Sequence, residues 1–209
     1  WALLVGIAFV TISTSKWRWL ALVHTALTIL AVTATGTLYV TDPQGHRVWF
    51  IDAKGAKRVV HEGISFPNGV RLSPDHKYLA VVLRNPAGRD IWLLDLASPD
   101  HVFSRLTFGP YDADPVWAPD SRRLVFWRRE SSGNTLHQVA LGSSKESAVW
   151  SPKAQAMVED WTPDGKQLLV RQGADPSGSL PLGLIPAPTE NAEASNADMQ
   201  PAFDIPFIK

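Results

Sequence analysis

The stretch Arg71-Leu72-Ser73-Pro74-Asp75-His76-Lys77-Tyr78-Leu79-Ala80-Val81-Val82 decides the fold, because its core comes back twice. Ser73-Pro74-Asp75 is followed 45 residues later by Ala118-Pro119-Asp120 and 44 residues after that by Thr162-Pro163-Asp164. Each copy leads into a basic residue and a short apolar run (HKYLAVV, SRRLVFW, GKQLLVR), and Trp117 and Trp161 stand just before two of them. Proline fixes φ and the Asp carboxylate accepts backbone N–H groups, so each copy reads as a tight turn from one strand to the next. A repeat of about 44 residues built from short strands is the size of one β-propeller blade.

Outward from these turns the chain keeps a period of two. GTLYVTD (36–42) and HRVWFIDAKG (46–55), YLAVVLR (78–84) and RDIWLLDL (89–96), and RLVFWRR (123–129) and TLHQVAL (135–141) pair as hairpins across turn residues. No segment between them is long enough for the helix of a parallel crossover, so the class is all-β from residue 36. Blades are expected at 36–64, 65–110, 111–155 and 156–209, about four, with the last incomplete and the array part of a larger ring; a closed four-bladed ring is the alternative. In domain terms, 36–188 holds blades, and 189–209 a polar linker and the outer strand of the incomplete blade. Within that last blade LPLGLIP (180–186) reads as the third strand and PAFDIPFIK (201–209) as the outer one.

Upstream the composition changes. Lys16 and Arg18 are the only ionised side chains from Trp1 to Thr41, and they separate two apolar runs, 1–15 and 19–35. A membrane helix needs about 20 apolar residues, with about 17 as the lower end, so residues 1–35 read as one or two hydrophobic helices that insert in a membrane. Under the positive-inside rule the basic pair lies in the cytoplasm and the blades on the extracytoplasmic, periplasmic side. A cleaved signal peptide and a buried soluble helix are the competing readings. His24, inside the second run, reads as a tolerated neutral side chain. Twenty basic residues balance twenty acidic ones, which argues against nucleic acid as a partner, and the absence of cysteine excludes a disulfide scaffold, thiolate metal sites and a thiol nucleophile.

RLSPDHKYLAVV (71–82), RDIWLLDL (89–96), SRLTFGPYDADPVWAPDSRRLVFW (104–127) and EDWTPDGKQLLV (159–170) resemble the TolB-type Pro-Asp-repeat propeller, in particular the version attached to membrane-spanning bacterial serine/threonine kinases and regulators. The resemblance covers about residues 65–172. It implies a non-enzymatic sensor or scaffold outside the membrane, with a protein or small-molecule ligand at the propeller face. The chain itself has no Gly-rich phosphate loop, His-Arg-Asp or Asp-Phe-Gly.

A second resemblance points to chemistry. LYVTDPQGHRVWFIDAKG (38–55) and KRVVHEGISFPNGVRLSPD (57–75) are similar to the gluconolactonase/regucalcin propellers, which hydrolyse sugar lactones at a divalent metal. The resemblance makes Asn68 a metal ligand and places a second at Asp114, although the family's Pro-Asp-Gly there reads Ala113-Asp114-Pro115, and its N-terminal glutamate ligand has no counterpart. Oxygen ligands of this kind suit Ca²⁺ or Mg²⁺, which could polarise a lactone carbonyl and activate water. The plainer reading is that Asn68-Gly69 occupies a turn. Asp112, Asp114, Glu159 and Asp160 likewise read as caps or solvated residues at a blade edge.

No Gly-x-Ser-x-Gly elbow or His-Glu-x-x-His occurs, and the six histidines never pair at ligand spacing; His46, His76 and His101 fall in expected turns. Trp49, Trp92, Trp117, Trp127 and Trp161 lie on strands and read as core between blades, and Arg122, Arg123, Arg128 and Arg129 as a solvated rim. Three functions stay open: a membrane-anchored binding propeller, a metal-dependent lactonase-like hydrolase, and the N-terminal propeller of a prolyl-oligopeptidase-type peptidase.

Overall fold

The structure, a computed structural model, describes residues 30–33, 35–98, 100–131, 133–143, 145–152, 156–172, 182–189 and 199–201. These form sixteen strands in four antiparallel sheets, each a simple meander in chain order. Blade 1 consists of β1 (Leu30–Val32), β2 (Leu38–Asp42), β3 (Arg47–Ile51) and β4 (Lys57–Glu62). Blade 2 consists of β5 (Pro67–Leu72), β6 (Tyr78–Asn85), β7 (Gly88–Asp95) and β8 (Phe103–Arg105). Blade 3 holds β9 (Asp112–Trp117), β10 (Arg123–Glu130), β11 (Gly133–Ala140) and β12 (Glu146–Trp150). Blade 4 holds β13 (Ala156–Trp161), β14 (Gln167–Gln172), β15 (Leu182–Pro186) and β16 (Gln200–Pro201). Leu182–Pro186, within LPLGLIP, thus supplies the third strand of blade 4, as expected, while residues 202–209 of the expected outer strand lie outside the described part.

The N-terminal boundary differs from the expected one. Leu30–Val32, inside the apolar run 19–35, pairs antiparallel with Val40–Leu38 and is the inner strand of blade 1. A Leu-Ala-Val triplet satisfies a helix, a membrane span or a strand equally well, and pairing with β2 selects the strand. No helix is found among the described residues, so the helices expected before the propeller are not seen; residues 1–29 lie outside the described part.

The second strand of each blade shows why the blades stack. All of Leu79, Ala80, Val81, Val82 and Leu83 on β6 are buried. Successive side chains point to opposite faces. Leu79, Val81 and Leu83 therefore join Val48, Val60 and Val70 in the seam between blades 1 and 2, while Ala80 and Val82 join Leu124 and Phe126 in the seam between blades 2 and 3. On β10 the same alternation sends Leu124 and Phe126 backward, and Val125 and Trp127 forward to Trp150, Trp161 and Leu168. Three seams thus join four blades in chain order, and among the described residues no buried cluster joins blade 4 to blade 1.

The repeated turn links inner strand to second strand in blades 2, 3 and 4. In blade 2 the Ser73 hydroxyl donates to Asp75 at 2.7 Å and the Lys77 amide donates to the same carboxylate oxygen. Thr162 and Asp164, with the Lys166 amide, repeat this in blade 4. The residue after each Asp lies in the left-handed region: His76 at φ 62°, Ser121 at 60° and Gly165 at 72°. His46 and His101 also have positive φ, as turn residues should. The turns touch one another too, since the Asp75 amide donates to Ser121 Oγ at 3.0 Å across the blade 2–3 seam.

Candidate functional site

The inner strands β5, β9 and β13 stand side by side, and each carries a bulge. Pairing slips by one residue between Pro67 and Val70, between Ala113 and Val116, and between Val158 and Asp160. A bulge leaves the extra residue out of the ladder and re-aims its side chain. The residues so placed are Asn68-Gly69, Asp114-Pro115 and Glu159, with Gly69 at φ 93° and Asp114 at φ 51°. The central face of blades 2 to 4 therefore presents Asn68, Asp114 and Glu159 from successive bulges.

Asn68 and Asp114 line one cleft of about 120 Å³, with Gly69, Val70, Arg71, Val82, Arg89, Ala113 and Pro115. Trp117 ties its two walls together, because its indole Nε1 donates to the backbone carbonyl of Arg71 at 3.0 Å. Arg89 is held by Tyr111, whose ring lies 4.8 Å from the Arg89 guanidinium and 4.9 Å from that of Arg129. Asp114 keeps an open surface toward the cleft, yet protein crowds it closely enough that desolvation lifts its pKa above the ordinary Asp value. Arg71 and Arg89 oppose that rise, Glu159 adds to it, and Arg171 opposes it. Beyond Arg71 a second, wider cleft of about 380 Å³ is bounded by Trp117, Glu159 and Asp160. There Arg171 Nε donates to Glu159 at 2.7 Å.

The two residues matched to metal ligands thus come together, but in company the sequence did not announce. Arg71 and Arg89 put two guanidinium charges beside one carboxylate, and among the described residues no group of three His, Asp or Glu could hold a metal ion. Asn68 sits in a strand bulge rather than a hairpin turn. Arg71 could not be picked out because it precedes the turn motif and reads as a surface residue; Arg89 reaches the cleft only through the β6–β7 hairpin. A polar residue where an inner strand breaks its alternation is the signal that could have found the bulges.

Two sequence assignments need correction. Arg128 is not on a solvated rim: it is 12% exposed and clamps Asp112, which is fully buried, through Nε at 2.7 Å and Nη2 at 2.9 Å. The same Nη2 donates to Glu146 of β12. Asp112 is therefore one partner of a buried ion cluster, not a capping residue at a solvated edge. Trp117, Trp127 and Trp161 are buried between blades as expected, whereas Trp49 and Trp92 are half-buried.

No protein-family model matches the sequence, and no curated protein does. Solved structures do match. A protein assigned as TolB from Agrobacterium tumefaciens superposes with a TM-score of 0.62 at 14% identity, over 76% of this chain and 57% of that one. TolB from Acinetobacter baumannii gives 0.60 at 17% identity, over 88% and 44%. A chain of the nidogen–laminin complex gives 0.59 at 11% identity, over 78% and 61%. This chain spans about half the length of the TolB structures it resembles. Identities this low speak for fold alone, and the inner-strand bulges, the Pro-Asp turns and these superpositions agree on it: the four sheets are blades of a TolB-type β-propeller.

Proposed function

We propose that this chain is the recognition part of a membrane-anchored propeller and that it binds a polypeptide partner across the central face of blades 2 to 4. The observation that carries the reading is the run of three bulged inner strands, which turn Asn68, Asp114 and Glu159 out of the sheet ladders onto one face. Nearby apolar side chains are also exposed, Phe66 at the head of β5 and Met157 on β13. A patch that mixes apolar and charged groups suits a protein partner. One of the superposed propellers comes from a complex between two proteins, nidogen and laminin.

Site-specific photo-crosslinking tests this. A benzoylphenylalanine at Asp160, on the central face, is expected to capture one discrete partner, and the same group at Lys54, in the turn between β3 and β4, none. Equal capture at both positions, or none at either, overturns the reading.

Anchoring rests on residues 1–29, with the blades on the extracytoplasmic side of Lys16 and Arg18. This reading carries a cost: β1 takes Leu30–Val32, and residues 19–29 as a helix rise only about 16 Å, half of a bilayer core of about 30 Å. Because the chain has no cysteine, a single Lys54→Cys variant decides the side. A membrane-impermeant maleimide labels it in intact spheroplasts if blade 1 lies outside, and only after lysis if it lies inside.

The lactonase-like alternative has one observation in its favour, the convergence of Asn68 and Asp114 on one cleft. Two guanidinium groups in the same cleft oppose a divalent cation. Calcium titration by calorimetry is expected to give no saturable heat; tight binding lost in both Asn68→Ala and Asp114→Ala would establish the metal site instead.

A further inference from the structure

We propose that the cleft between β5 and β9 is a carboxylate-binding subsite, in which Arg71 and Arg89 grip a single carboxylate and the Asn68 amide donates to it. The inference rests on the reading of the central face as the recognition surface and names the group that surface takes. Four observations carry it. Among the described residues neither guanidinium has a carboxylate within ion-pair distance, which they share with Arg58, Arg84, Arg122 and Arg129 but not with Arg47, Arg105, Arg123, Arg128 and Arg171. The Arg89 guanidinium is nonetheless held by the Tyr111 ring, and the backbone that carries the exposed Arg71 side chain is held by the Trp117 indole. Lost side-chain and strand freedom is thus partly settled before any ligand arrives.

Charge and size supply the other two. With Asp114 ionised, the lining of the cleft carries two positive charges and one negative, so a monoanion neutralises it while a cation or a dianion does not. Guanidinium groups favour carboxylates through paired, charge-assisted hydrogen bonds. A volume of about 120 Å³ is below the several hundred Å³ of a drug-sized ligand site, so the cleft accepts an end group rather than a whole molecule. The carboxylate belongs to the partner polypeptide, as either its C-terminus or an Asp or Glu side chain.

The test uses the full chain in non-ionic detergent, with the arginine Nε–Hε signals followed by ¹⁵N NMR. Acetate is expected to shift the Arg71 and Arg89 signals with a dissociation constant on the order of millimolar. Binding should weaken about tenfold in Arg71→Ala and in Arg89→Ala, and less in Arg71→Lys, which keeps the charge but not the fork. Asp114→Asn, which suits the positive φ at this position, is expected to bind acetate about three- to tenfold more tightly, because it removes the competing charge. A metal site would instead lose a negative ligand charge in that variant and hold its cation less tightly. Triple-alanine peptides then separate the sources: tightening by a free C-terminus over its amide identifies a chain end, and tightening by an internal Asp in an amidated peptide identifies a side chain. No acetate shift in the folded wild type, or an undiminished shift in the Arg71→Ala/Arg89→Ala double variant, overturns the proposal. Acetate binding that persists while the Asp160 crosslink is absent upholds the subsite and removes only the broader recognition reading.

Discussion

The indole Nε1 of Trp117 donates to the main-chain carbonyl of Arg71, 3.0 Å away in the preceding blade, whereas Trp161, 44 residues on, is equally buried and its Nε1 has no hydrogen-bond partner among the described residues. The two tryptophans precede the same repeated turn and lose the same volume on replacement by phenylalanine. They differ in one hydrogen bond between blades and in their ring contacts, Tyr78 against Trp117 and the Arg123 guanidinium over Trp161. Trp117→Phe is expected to cost about 1 kcal/mol more in urea unfolding than Trp161→Phe, since it removes a hydrogen bond between blades while the other change removes a donor that made none. Equal losses would mean that the Arg71 carbonyl, which the register also pairs with Ala80, gains nothing net from the indole.

The ion cluster in blade 3 predicts an asymmetry of another kind. Asp112→Ala leaves Arg128 enclosed without its bidentate partner, and about 3–5 kcal/mol of stability should go with it. Arg128→Met removes the charge itself and keeps most of the apolar stem, so it should cost distinctly less. Urea midpoints for both variants check the order; the reverse order would mean that Glu146, the second carboxylate on Arg128, suffices to hold it.

Stability should also fall on mild acidification. His137 is 7% exposed, packs on Phe126, and neither ring nitrogen has a hydrogen-bond partner among the described residues, the Glu130 carboxylate standing 3.6 Å from Nε2. Burial holds its pKa below the ordinary 6.5, and Arg128 adds to this, against the opposing pull of Glu130, Asp112 and Glu146. Below pH 6.5 the unfolded chain takes up a proton that the folded chain refuses until the lowered pKa is reached. The contribution is therefore complete above pH 6.5 and declines as pH falls through that window. His61, whose pKa burial also lowers, acts in the same direction. His137→Phe should make the melting temperature less dependent on pH between 6.5 and 5; an unchanged dependence would assign the effect elsewhere.

Gly88 supplies a steric prediction. Its φ is 152°, and a Cβ there would lie 1.7 Å from the carbonyl oxygen of Pro110. Gly88→Ala should cost about 2 kcal/mol or more. It should also weaken acetate binding, because the same contact seats Arg89 beside Tyr111. Loss of stability without loss of binding would show that Arg89 is positioned independently of this turn.

These cases show what the sequence could and could not disclose. The Pro-Asp turns were readable because their chemistry is local: a hydroxyl or alanine, a fixed φ and a carboxylate within a few residues. The strands of blades 2 and 3 were readable as short β-branched and aromatic runs between turn residues, although Leu79 to Leu83 are all buried and this run does not alternate as a period of two requires. Strand β1 was hidden because Leu30–Val32 sits at the end of an apolar run with no turn residue before it. Asn68 and Asp114 were paired by the resemblance to the lactonase propellers, but the charge around them could not be read. Arg71 lies on β5 and Arg89 on β7, with β6 between them, and only the β6–β7 hairpin brings Arg89 back to the cleft. Arg128 looked like a rim residue among three other arginines, and Asp112, sixteen residues earlier, gave no local sign that it would bury it.

The three seams have a further consequence. Blades 2 and 3 are gripped from both sides, blades 1 and 4 from one side only within the described residues. Opening then has a preferred direction, since freeing an outer blade breaks one seam and freeing an inner blade breaks two. Backbone amides on β2 and β15 should exchange with deuterated water ahead of those on β6 and β10. The cleft between β5 and β9 lies over the middle seam, the last to be exposed, so its two arginines would keep their spacing while the flanks of the array breathe.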